Sequence, residues 1–119
     1  MPGTPDAAGE DQQILDRFDG ERDLLREVAS SFLECTPPLL AELRRAVAAG
    51  DAPEVARVAH RLRGSLGNFG AEGAMEAALR LEQNGGAGSL ADAEGHCASL
   101  MDGWEALRRS LERLLAVPA

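Results

Sequence analysis

The clearest hydrophobic pattern of the chain lies near its carboxyl-terminal end. Apolar residues recur there at alternating spacings of three and four, at Leu90, Ala93, Cys97, Leu100, Trp104, Leu107, Leu111 and Leu114. This spacing places the apolar side chains on one face of a helix, as in the contact face of an antiparallel bundle. We therefore expect a long last helix, with Ser89 and Asp92 forming a capped start.

The amino-terminal half predicts further helices after an irregular start. Residues 1–11 combine proline, glycine and acidic residues without periodicity, and predict a disordered lead or linker. A short helix is expected over residues 12–18. Residues 21–49 keep a helical phase of apolar positions across Thr36-Pro37-Pro38, and these prolines predict two helices meeting at a kink, with Thr36 as N-cap. Gly50 is expected to end this segment.

Two more helices are predicted between residues 51 and 84. In Asp51-Ala52-Pro53-Glu54, Asp51 can cap, Pro53 suits the first turn and Glu54 holds the capping-box position. This helix should run to about Phe69 and be broken by Gly70. The next is expected over residues 71–84, ended by Gly85-Gly86, with its inward side chains at Ala71, Met75, Ala78 and Leu81 or Leu79.

These elements together predict the fold class. No segment shows the alternation of a strand, and the predicted helices are joined by short glycine-containing turns. We expect an all-α fold, an antiparallel up-down four-helix bundle with a short extra N-terminal helix, forming one domain over residues 12–116.

Composition and charge reduce the number of function classes to which the chain could belong. The formal net charge is −8 and all twelve basic residues are arginine, which argues against a nucleic-acid binder. No apolar run approaches the ~20 residues of a membrane span, and the start lacks the basic and apolar regions of a signal peptide, so we expect a cytoplasmic protein. Cys35 and Cys97 have no metal-binding spacing and are expected to be half-buried, reduced cysteines on helices.

The segment of residues 55–71 departs from a purely structural pattern. At about 100° per residue, one side of this helix carries the apolar stripe Val55, Val58, Ala59, Leu62, Leu66 and Phe69. His60, Gly64 and Gly67 fall together on the opposite side, so His60 is expected to be exposed. Each mid-helix glycine costs ~1 kcal/mol relative to alanine, which suggests that a bulky partner must approach the ring.

Three arginines surround this histidine in the sequence. Arg57 lies one turn before it, and Arg61 and Arg63 flank it. Histidine is a competent nucleophile, and neighbouring arginines can offset the charge of an incoming phosphoryl group. The chain has no GxxxxGK[ST] loop for ATP, so the donor and acceptor would be other proteins, and no cofactor or metal is expected. His96 lacks the paired glycines and arginines, and we interpret it as an ordinary surface residue.

The motif around His60 resembles a known family. The sequence HRLRGS (residues 60–65) followed by NFGA (residues 68–71) is similar to the signature of histidine-containing phosphotransfer (HPt) domains, H-x-L-[KR]-G-S followed by a small polar residue, an apolar residue and G-A. FLE (residues 32–34) before the proline-containing segment and the closing helix with Trp104 also fit. The resemblance covers residues 12–115.

This resemblance implies roles for individual residues. His60 would be phosphorylated on Nε2, Arg63 would help to hold the phosphoryl group, Gly64 would keep the approach clear and Ser65 would orient the imidazole. The motif does not require Arg57 and Arg61, and either partner docking or plain solubility would explain these two cations. Gly67 and Asn68 are also expected to contribute to partner docking. The expected partners are receiver domains of response regulators and a hybrid sensor histidine kinase. The chain itself is expected to be a monomer.

Three alternatives remain open from the sequence. The domain could be the phosphoacceptor of a larger chemotaxis-type histidine kinase, loaded by an attached ATP-binding domain. It could also be a bundle that docks receivers without phosphotransfer, which would not need His60. An independent hydrolase or metal enzyme has little support, because a catalytic zinc site needs about three protein ligands.

Overall fold

The computed structural model describes residues 7–117, which form five α-helices and no strand. The helices are α1 (Ala7–Arg17), α2 (Arg22–Ala49), α3 (Ala52–Gly67), α4 (Glu72–Ala87) and α5 (Ala93–Ala116). This confirms the all-helical class. None of these helices combines the length and apolarity that crossing a membrane requires.

The four longer helices pack in a closed ring. α2 contacts α3, α3 contacts α4, α4 contacts α5, and α5 returns to α2, while α1 packs on α5. Every residue of the apolar stripe predicted for α3 is buried. An aromatic cluster crosses the core, because the Phe32 ring lies 4.8 Å from that of Phe69 and 5.4 Å from that of Trp104, centroid to centroid. Because the stripe of α3 faces this core, the opposite side of α3 lies at the surface.

The contact face of α5 is also confirmed. All of its predicted residues are buried except Leu90, which precedes the helix and is half-buried. Trp104 retains 6% of its accessible surface and lies edge-on to Phe32. The capped start predicted at Ser89 and Asp92 was wrong, because the helix begins only at Ala93 and the Asp92 side chain makes no capping hydrogen bond.

The first helix begins earlier than the sequence suggested. α1 starts at Ala7, inside the 1–11 segment predicted as a disordered lead, and residues 1–6 of that segment lie outside the described residues. An ion pair explains the difference, because Asp11 Oδ2 accepts from Arg113 Nε of α5 at 2.9 Å. Arg113 also holds the pKa of Asp11 below its usual value. Ile14 is buried on the same helix, so α1 is fixed by both packing and charge.

The predicted break in the second helix is not present. α2 is continuous, with Pro37 and Pro38 inside it and Thr36 buried at mid-helix rather than serving as an N-cap. Both prolines lie on the exposed side, and each removes one intrahelical hydrogen bond. Buried Phe32 and Leu39 on either side keep their packing in a single helical phase, which offsets the lost bonds. The end of α2 at Gly50, which has φ of 68°, is as predicted.

The boundaries of α3 and α4 agree with the sequence in part. Asp51 caps α3 by accepting from the Glu54 amide at 3.2 Å, and Gly70 follows α3 with φ of 67°. α4 does not stop at Gly85-Gly86 but continues to Ala87, where Gly88 forms a left-handed cap. The two glycines were therefore misread as a helix end.

The inward face of α4 agrees with the prediction in part. Ala78 and Leu81 are buried as expected, whereas Ala71 and Met75 are only half-buried. Ala74 is buried instead, and a Cβ added at Gly103 of α5 would lie 2.7 Å from its Cβ. Small residues on both helices therefore allow a close approach of α4 and α5.

Gly85 has a packing role that yields a direct test. A Cβ at this position would lie 2.6 Å from both the Ala52 carbonyl oxygen and the Ala56 amide nitrogen of α3. Because these are backbone atoms, we expect Gly85→Ala to lower the free energy of unfolding by about 1–3 kcal/mol. Gly86→Ala is the matched control, since nothing lies within 4 Å of a Cβ there and the change should be neutral or stabilising. Urea denaturation of both variants measures this difference, and equal stabilities would contradict the close packing.

Candidate functional site

His60 lies on the outer side of α3, away from the core. Its side chain is 66% exposed, in agreement with its position opposite the buried stripe. The ring makes one short contact, between Nδ1 and the Glu82 Oε2 atom of α4, at 2.7 Å. The histidine is therefore accessible, yet its ring is held by a neighbouring helix.

The surroundings of Glu82 determine which ring nitrogen carries the proton. Arg63 Nε donates to Glu82 Oε1 at 2.8 Å, and this bond holds the pKa of the Glu82 carboxyl below its usual range. An ionised carboxylate only accepts hydrogen bonds, so Nδ1 must be the donor in its contact with Glu82. The neutral ring then has its lone pair on Nε2, and no hydrogen bond to Nε2 is recorded among residues 7–117.

The two glycines on the histidine side of α3 have different surroundings. A Cβ added at Gly64 would have no neighbour within 4 Å, so the surface one turn after His60 is open. A Cβ at Gly67 would lie 3.7 Å from Met75 Cε, and Gly67 itself is half-buried. The bare patch predicted over two turns therefore covers one turn, because the Met75 side chain of α4 reaches the second glycine.

The three arginines around His60 are not equally available. Arg57 donates to both carboxylate oxygens of Glu54, at 2.8 and 2.7 Å, and lies 3.7 Å from Glu42 of α2. Arg63 is bound to Glu82, and its Nη2 lies 3.5 Å from Nδ1 of the ring. Arg61 is exposed, and no ion pair is recorded for it within the described residues. Of the three guanidinium groups, that of Arg61 is the one that an incoming anion meets without a competing carboxylate.

Ser65 and Asn68 lie on a different side of α3 from the ring contacts. They line a cleft of about 450 Å³ between α2 and α3, together with Ser31 and Cys35. Ser65 is five residues after His60, which turns it about 140° around the helix towards α2. No hydrogen bond joins Ser65 to the imidazole in the part of the chain that the structure describes. The expected Ser65 contact is thus not observed, and Glu82 is the residue that holds the ring.

Glu82 belongs to the candidate site, although nothing in the sequence pointed to it. It lies 22 positions after His60 on another helix, so no pattern within α3 could indicate it. Its side chain is 25% exposed and bridges His60 and Arg63, which makes a small network of three charged or ionisable groups. Within residues 7–117 no group of three or more His, Cys, Asp or Glu side chains could hold a metal ion.

A family model identifies the fold to which these residues belong. The model of the Hpt domain matches residues 27–117, which include all of α3, α4 and α5 and most of α2. The chain belongs to the Hpt domain family. Hpt domains perform histidine phosphotransfer in phosphorelays and interact there with receiver domains and kinases. No curated protein and no solved structure matched the chain significantly.

Proposed function

We propose that this Hpt domain carries a phosphoryl group on His60 between the aspartates of receiver domains in a two-component phosphorelay. The observation that supports this most directly is the state of the ring: Nδ1 is occupied by Glu82, and Nε2 belongs to a side chain that is 66% exposed. Gly64 adds open space beside it, which a docked receiver needs in order to bring its phosphoaspartate within bonding distance.

The transfer needs only the lone pair of the imidazole. Nε2 attacks the phosphorus of an aspartyl phosphate, the P–Nε2 bond forms, and the P–O bond to the aspartate breaks to leave a free carboxylate. The proton on Nδ1 stays in its hydrogen bond with Glu82 throughout. Arg61 can approach the transferred group as a cation, and Arg63 is available if it exchanges part of its contact with Glu82.

The proposal also covers the partners, the location and the oligomeric state of the protein. The partners are receiver domains and, upstream, a hybrid sensor histidine kinase, and the chain acts as a cytoplasmic monomer without nucleic acid. The short connections of two to five residues between α2, α3, α4 and α5 favour an antiparallel up-down arrangement of these helices. The functional unit is the domain of residues 12–116, extended by the earlier start of α1.

A transfer assay with matched histidine variants tests the proposal. The wild type and His96→Gln should gain label when incubated with a receiver carrying radioactive phosphate on its aspartate, and pass it to a second receiver. His60→Gln should gain none, while its free energy of unfolding changes by only about 0.5 kcal/mol because the side chain is exposed. Normal relay through His60→Gln would contradict the proposal and favour a docking bundle. Labelling by a histidine kinase domain with ATP, but by no receiver, would place the protein in a chemotaxis-type kinase instead.

A further inference from the structure

The contact between Glu82 and His60 has a consequence for the phosphorylated state. Nδ1 and Nε2 lie on different sides of the imidazole ring, and Glu82 contacts Nδ1. A phosphoryl group on Nε2 therefore leaves the hydrogen bond to Glu82 in place. The carboxylate that fixes the ring before phosphorylation is still beside Nδ1 afterwards.

The proton on Nδ1 decides how easily the phosphoryl group leaves. When the P–Nε2 bond breaks, its electron pair remains on Nε2. If Nδ1 carries a proton, the leaving group is a neutral imidazole, with the lone pair on Nε2 and the proton still on Nδ1. If Nδ1 has lost its proton, the leaving group is an imidazolate anion, which is a much more basic and slower leaving group.

We propose that Glu82 is a positioning residue for phosphoryl release, which keeps the Nδ1 proton on phosphorylated His60 so that transfer expels a neutral imidazole. This inference rests on the proposed function, because it assigns the second half of the same relay step. Glu82 acts through the ring and does not touch the phosphoryl group. Its negative charge favours a proton on Nδ1, the ring nitrogen that Glu82 contacts at 2.7 Å.

The other charges around the ring are weaker influences on this proton. They come from three helices: Arg57, Arg61 and Arg63 on α3, Glu42 on α2, and Glu82 itself on α4. Arg57 is offset by its own carboxylate partners, and Arg63 Nη2 lies 3.5 Å from Nδ1, farther than the Glu82 oxygen at 2.7 Å. An opposite charge in direct contact favours the protonated form of the group that it touches. The nearest group therefore dominates, and it is an anion.

A chemical phosphoryl donor tests this inference without any receiver. The wild type, Glu82→Gln and Glu76→Gln are loaded on His60 with potassium phosphoramidate, and loss of the phosphoryl group is followed by ³¹P NMR between pH 5 and pH 10. Glu76 is a matched control because it is a carboxylate of α4 that pairs with Arg80, outside the His60 contacts. Glutamine at position 82 keeps an acceptor for Nδ1–H but removes the charge.

The expected result is a shift of the pH profile in one variant alone. In Glu82→Gln the pH at which release falls to half its acid value should be about one unit lower, so that release above this pH is about tenfold slower. The profile of Glu76→Gln should overlay that of the wild type. Overlapping profiles of Glu82→Gln and the wild type would overturn the inference.

A second measurement does not depend on the variants. The ³¹P resonance of phosphorylated wild-type protein should titrate at a pH about one unit higher than that of a phosphorylated unfolded peptide spanning α3, and coincident titrations would overturn the inference. Neither experiment uses a receiver, so a failure of this inference can be told apart from a failure of the proposed relay. Absence of exchange with receivers, together with a shifted profile, would remove the proposed function and leave the chemistry of Glu82 standing.

Discussion

Replacing Gly64 by glutamine is expected to slow phosphoryl transfer to and from receivers about 100-fold without destabilising the protein. A helical side chain covers the surface towards the amino terminus of its helix, so glutamine at this position would lie over the His60 ring. Displacing reacting groups by about 1 Å is enough to cost a factor of about 100 in rate. Stability should be equal or higher by up to about 1 kcal/mol, since a Cβ there meets nothing within 4 Å and glycine is a poor helix former.

Transfer rates and urea denaturation of the same preparation check this result. Gly95→Gln on α5 is the matched control, because a Cβ at that position also has no neighbour within 4 Å and lies on another helix. It should show no loss of transfer. Undiminished transfer in Gly64→Gln would mean that receivers do not need the open surface beside His60.

Replacing Trp104 by alanine is expected to cost about 3–5 kcal/mol of unfolding free energy. The indole is only 6% exposed and contacts Phe32, whose ring also packs on Phe69, just after α3. Removing it leaves a cavity beside Phe32, between α2 and α5. Because domains are stable by only about 5–15 kcal/mol, this is a large part of the total.

The cost is measured by urea denaturation followed by far-ultraviolet circular dichroism, since the variant lacks the only tryptophan. Met101→Ala is the comparison on the same helix, because Met101 is half-buried and its truncation should cost clearly less. A loss below about 1 kcal/mol for Trp104→Ala would contradict the core position of the indole.

Features that depend on local periodicity were predictable from the sequence. The buried stripe of α3, the contact face of α5 and the exposed position of His60 all follow from the helical repeat of about 3.6 residues. The caps at Gly50 and Asp51 follow from the chemistry of single residues. Each of these features is decided by neighbours within one or two turns.

Features that depend on contacts between helices were not predictable in this way. Gly85 resembles a helix end until the backbone of α3 is placed against it, and the two prolines of α2 resemble a break until the packing on both sides is known. Asp11 belongs to an apparently irregular segment, yet it pairs with Arg113 on a helix about a hundred positions away. Sequence patterns report the preference of a segment, and tertiary contacts can overrule it.

The candidate site also combines features set within one helix and features set by contacts between helices. One helix carries the proposed phosphoacceptor His60, the open surface at Gly64 and the three neighbouring arginines, and all of these were visible in the sequence. The group that fixes the ring comes from α4, and its partner Arg63 was expected to hold the phosphoryl group. The Glu54–Arg57 pair, three positions apart on one helix, could have been foreseen and shows that Arg57 is partly neutralised. The phosphoryl-binding role of Arg63 stays a prediction.

A phosphoryl group bonded to Nε2 of His60 is the central expectation for this protein, and nitrogen-resolved NMR detects that bond directly. Uniformly ¹⁵N-labelled protein is phosphorylated by a phosphorylated receiver, and the phosphorus is located by its coupling to the ring nitrogens. We predict coupling to Nε2 of His60, with the proton retained on Nδ1. Phosphate on Nδ1, on His96, or on no histidine would contradict the account.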